Sequence, residues 1–128
     1  MCGVSEGGRF AVVMVVDIFH SARQRYYLLH QADHAAILAG CRQMLVELSD
    51  QPSDGEDKIR MEVISDPTSD PRVPEVLRTL KPAHICVFDH CVRIEMHGGF
   101  DHYGLVGYAE GEEPQGGELI PGLCYYSE

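Results

Sequence analysis

Apolar and polar residues follow two distinct periods along the chain, and each predicts a different element. Between Asp33 and Ser49, the residues Ile37, Cys41, Met44, Leu45 and Leu48 recur at helical spacing. They predict a helix over about 33–49 with a single apolar stripe. Asp33 is placed to cap its first free amides. Gly40 is a poor helix former, costing about 1 kcal/mol relative to alanine, and marks close packing against a neighbour. The segment PEVLRTL predicts a short helix over about 74–80. Proline stands in its first turn, Glu75 beside it favours the free amides, and Pro82 follows its end.

The second period is that of strands. Ile59, Met61 and Val63 alternate with Lys58, Arg60 and Glu62, which sets the first three on one face of a half-exposed strand. From His84 to Glu110 the chain reads as three short strands joined by tight turns at Asp89-His90 and Gly98-Gly99. Two-residue turns would pair Val87 with Val92, Ile85 with Ile94, Ile94 with Tyr103 and Val92 with Leu105, giving an almost wholly apolar face. A last strand spans about 118–126, and Pro121-Gly122 bends or interrupts it. QPSDGED, SDPTSDPR and GEEPQGG are loops. Residues 1–9 carry a Gly-Gly pair and are expected to be flexible, and residues 10–19 fit either a strand or a helix running on through SARQRYYLL. The whole predicts one α+β domain over 1–128. Its antiparallel sheet of four to five strands packs against the long helix on the Val87/Val92/Leu105 side, with the short helix beside it. Consecutive strands with turns too short for crossover helices disfavour a parallel α/β arrangement.

Composition changes this picture in one respect. The net charge of −10 comes wholly from residues 49–128, which carry sixteen acidic and six basic side chains. Such a surface repels phosphates and argues against a nucleic-acid partner. The apolar run AVVMVV ends at Asp17 after six residues, far short of a membrane span, and the residues before it do not make a secretory leader. Five cysteines without a CxxC pair read as reduced thiols of a cytoplasmic protein.

The candidate chemistry lies on the other face of the central strands. The same register sets His84 opposite Glu95, Glu95 opposite His102, and Cys86 opposite Arg93. Glu95 would then orient His84 or His102 as a general base, and Arg93 would favour a Cys86 thiolate. His84, Glu95 and His102 are also a ligand set for a divalent metal such as zinc, although His84 and His102 stand two strand spacings apart. A solvated strand face collects the same residue types with no function at all. His97, Phe100, Asp101 and Tyr103, around the Gly98-Gly99 turn, are candidate ligand-binding residues, but the turn is no phosphate loop because neither a lysine nor a helix follows. His30 and His34 have helical spacing, yet Asp33 between them reads as a cap and places His30 outside the helix. No cofactor is required by any of these residues. Two functions fit: a small ligand-binding or hydrolytic domain using the His/Glu face, or a non-catalytic interaction or dimerisation domain whose exposed face or edge strand meets a partner, a second copy included.

Overall fold

The computed structural model describes residues 21–49, 61–97 and 102–127. The readings of residues 1–9, 10–19 and 51–57, of the Gly98-Gly99 turn, and of Phe100 and Asp101 lie outside them. Residues 21–26 are helical and run into a π-helical turn at Tyr27–Gln31, where the Ala32 amide donates to the Tyr27 carbonyl at 2.8 Å. Helix α1 follows at His34–Ser49, and the Ala36 amide donates to Asp33 Oδ1 at 3.1 Å, as a cap at Asp33 requires. Helix α2 is a single turn, Glu75–Arg78, preceded by Pro74, so it is shorter than the 74–80 span its composition suggests.

Six strands form one antiparallel sheet among the described residues: β1 (Met61–Ile64), β2 (His84–Phe88), β3 (Cys91–Glu95), β4 (Tyr103–Tyr108), β5 (Gly117–Ile120) and β6 (Leu123–Ser127). Their order is β1-β2-β3-β4-β6-β5. The count exceeds the expected four to five because the chain reverses at Pro121-Gly122. Gly122 has φ +97°, and the last strand becomes two that pair with each other.

One face of the sheet carries Ile64, Ile85, Val87, Val92, Ile94, Tyr103, Leu105 and Leu123, all buried against the apolar stripe of α1. Leu38 joins the predicted stripe of Ile37, Cys41, Met44, Leu45 and Leu48. Two glycines set how closely α1 can lie. A Cβ on Gly107 of β4 would stand 2.6 Å from Cys41 Cβ, and a Cβ on Gly40 would stand 3.0 Å from Val76 Cγ1 beside α2. Cys41 of the helix therefore packs directly on the β4 backbone at the sheet centre, and α2 closes the helix's other side.

Two registers depart from the sequence reading. In β1 it is Ile64 that faces the core, opposite Ile85, while Val63 is 52% exposed opposite Cys86. Of the residues read as alternating, Val63 faces outward and Glu62 inward, while Lys58, Ile59 and Arg60 lie outside the described residues. Glu62, on the core side of this edge strand, is reached by the Arg72 guanidinium, which also holds Asp70 at 2.8 Å. The hydrogen bond from Arg72 holds the Asp70 carboxyl below the usual range. The β2–β3 pairing is the predicted one, but in β3–β4 Ile94 faces Leu105 and Glu95 faces Gly104, a shift of two residues.

Gly107→Ala should lower stability by about 1–3 kcal/mol, because the added methyl meets a Cβ that cannot turn away. Gly117→Ala, where a Cβ meets nothing within 4 Å, should change it by less than about 0.5 kcal/mol. Urea unfolding followed by circular dichroism measures both.

Candidate functional site

Because the core side of the sheet is set by α1, alternation along β2, β3, β4 and β6 sends the intervening residues to the outer face. One row across that face runs His84, Glu95, Gly104, Tyr126, and the next runs Cys86, Arg93, Val106, Cys124. Glu95 is the centre of the first row, with 15% of its side chain exposed. His84 Nε2 lies 2.5 Å from Glu95 Oε2, and His102 Nδ1 lies 2.7 Å from Glu95 Oε1. His102 thus stands diagonal to Glu95 rather than opposite it. A shift of two residues preserves the face, so the contact forms from a different register than the sequence suggested.

Partial burial pushes the Glu95 carboxyl upward, but the hydrogen bond from His102 and the charge of His84 outweigh it, and the group lies below its ordinary range. An ionised carboxylate only accepts, so each bonded ring nitrogen must carry the proton. That fixes both tautomers: the bonded N–H is Nε2 in His84 and Nδ1 in His102. In a neutral ring the remaining nitrogen, Nδ1 of His84 or Nε2 of His102, carries the lone pair, and in a charged ring it carries a second proton. The side chain of His102 is 66% exposed and that of His84 37%.

The second row behaves differently from its expected chemistry. Burial raises the Cys86 thiol, the Glu95 charge raises it further, and Arg93 offsets these only in part. These effects favour the Cys86 thiol over the thiolate, against the pull of Arg93. The Arg93 guanidinium lies 4.2 Å from the centre of the Tyr126 ring. Tyr126 Oη donates to the Ile94 carbonyl at 3.4 Å, and that same carbonyl oxygen is what a Cβ on Gly104 would meet, at 1.8 Å, with Tyr126 Oη 3.0 Å away. Tyr126, read from the sequence as a packing residue, is thus part of this face.

Other candidates are placed elsewhere. Tyr103 is fully buried on the core face, with its ring under the Arg25 guanidinium at 4.7 Å, so it cannot meet a ligand beside His102. His97 is exposed beyond the end of β3. His34 Nε2 donates to the Leu28 carbonyl at 2.6 Å and ties α1 to the π-helical turn, while His30 packs against Tyr26. The Cys41 thiol, enclosed in the core, is pushed up to about 12 by burial first, and the four described cysteines are unbridged.

No group of three or more His, Cys, Asp or Glu among the described residues is arranged to hold a metal ion. In the first row the carboxylate stands between the imidazoles, each taking one oxygen, so the three do not converge on a common point. No helix among the described residues is long and apolar enough to cross a membrane. Comparison with known proteins finds no matching family, no matching curated protein and no matching solved structure.

Glu95 lies lower in the folded chain than in the unfolded one, so its contribution is present above the unfolded carboxylate value and lost as pH falls through the folded one. The groups facing it are His84, His102, Cys86 and Arg93. Glu95→Gln should lower stability at pH 7 by no more than about 1 kcal/mol, the range of exposed ion pairs, and the gap should close as pH is taken below about 4. Denaturant titrations across pH check this. The same variant should speed alkylation of Cys86 by iodoacetamide at pH 7.5, read by peptide mass mapping, because a charge that opposes the thiolate is gone.

Proposed function

We propose that the chain is a small ligand-binding domain whose site is the Glu95 end of the outer sheet face, with His102 as the group that meets the ligand. One observation carries this reading: a single carboxylate holds two imidazoles, one on each oxygen, and so fixes their tautomers. A purely solvated face would leave exposed histidines free to rotate and exchange tautomers. With its Nε2 directed away from Glu95, the neutral His102 ring suits a ligand that donates a hydrogen bond, such as a hydroxyl or an amine. If chemistry follows binding, the role open to His102 is that of a general base on water or on a ligand hydroxyl, and Cys86, favoured as a thiol, is not the nucleophile.

A second reading rests on Val63, more than half exposed on the edge strand of the same face. There the outer face meets a second copy of the chain. The acidic charge sets nucleic acid aside as the partner.

Nitrogen-15 NMR of the histidine rings, followed by titration with hydroxyl- and amine-bearing fragments, tests the first reading. His102 should appear as the Nδ1–H tautomer and shift on addition of a fragment. Glu95→Gln should mix the tautomers and weaken binding about tenfold, the worth of one charge-assisted hydrogen bond. Fragments that shift other residues, or bind Glu95→Gln equally well, would remove the proposal. Concentration-dependent dimerisation with loss of His102 exposure would favour the second reading in its place.

A further inference from the structure

On the opposite side of the sheet, the π-helical turn at Tyr27–Gln31 and the chain leaving α2 enclose a cleft of about 510 Å³. That lies within the roughly 300–1,000 Å³ typical of small-molecule sites. Its apolar part includes Leu28, Leu80 and Met96, all nearly inaccessible, with Tyr27 beside them. Met96 follows Glu95 in the chain and therefore faces away from the histidine row.

The charge of the cleft is opposite to that of the protein. In a chain of net charge −10, the lining includes Arg23 and Lys81 and no carboxylate. Neither cation has a carboxylate partner among the described residues. Gln24 lines the cleft with them, and its Oε1 accepts from the Tyr103 hydroxyl, so its amide N–H groups are the part left to donate into the cleft.

Both walls also carry backbone that ordinary packing does not call for. The first is the π-helical turn, a form that recurs at functional sites. The second is Lys81, a non-glycine residue at φ +54°, held there between the end of α2 and buried Pro82. Glycine or asparagine would take this conformation more readily, and lysine adds a cation there that neither would supply.

We infer that this cleft is a binding site for a small amphipathic anion: an apolar body against Leu28, Leu80 and Met96, and a carboxylate or phosphate head held by Arg23, Lys81 and the Gln24 amide. Two opposed cations and an amide donor match an anionic oxygen group, and the buried apolar floor excludes a fully hydrated inorganic ion as the natural occupant. The site does not depend on the histidine row, and it stands or falls separately from it.

Titration of the full chain with octanoate, octyl phosphate and octanol, by calorimetry and methyl NMR, tests this. At least one of the anions should bind at a single site, shift the methyl groups of Leu28, Leu80 and Met96, and weaken with added salt. Octanol should bind at least tenfold more weakly. Arg23→Gln combined with Lys81→Gly should weaken anion binding at least tenfold with an unchanged circular dichroism spectrum, since glycine accepts the left-handed backbone. Lys81→Asn serves as the second variant if the first does not fold. Glu95→Gln should bind the anions as the unaltered chain does. Equal binding of octanol, full affinity in the double variant, shifts confined to other methyls, or no binding of either anion at millimolar concentration would each overturn the inference.

Discussion

The close approach of α1 to the centre of the sheet, where Cys41 lies over Gly107, is the contact on which the rest of the structure depends. A side chain at either glycine of this layer would lift the helix by a few tenths of an ångström or more, and interior packing tolerates that poorly. With the helix seated, the apolar rows of β2, β3 and β4 are fully covered, and strand periodicity leaves no choice for the remaining side chains. His84, Cys86, Arg93 and Glu95 point outward because Ile85, Val87, Val92 and Ile94 point inward. The candidate site is in this sense a by-product of the core.

Within that face, Glu95 organises two histidines and disfavours the neighbouring thiolate by the same charge. Its ionised carboxyl draws protons toward the imidazole nitrogens it accepts from, and its proximity opposes ionisation of Cys86. Arg93 lies on the Tyr126 ring, and Tyr126 reaches the Ile94 carbonyl, the atom that leaves no room for a side chain at Gly104.

Much of this was legible in the residues. The β2–β3 pairing followed from a two-residue turn and two apolar rows that only one register aligns. The pairing of β3 with β4 was misjudged by two residues, because Gly98-Gly99 read as the whole turn while Met96 pairs with Tyr103 and leaves a longer connection. The error left the faces intact since strand side chains repeat every second residue, which is why Glu95 and His102 still meet. In β1 the alternation itself could not say which set faces inward. An edge strand with a charged partner nearby accepts Glu62 on the core side once Arg72 reaches it.

By itself, the sequence determined the class of fold, the long helix with its Asp33 cap, the apolar and polar faces of the central strands, and an acidic surface. These rest on periodicity, capping and charge, all of which act over a few residues or on the chain as a whole. The tertiary structure alone decided that Glu95 lies between two imidazoles and that the Cys86 thiol is favoured over the thiolate. It also decided that Tyr126 reaches across β4 to the Ile94 carbonyl, and that Arg23 and Lys81, far apart in the chain, line one cleft. Each of these depends on residues brought together across strands or between a helix and a loop, where local spacing carries no information.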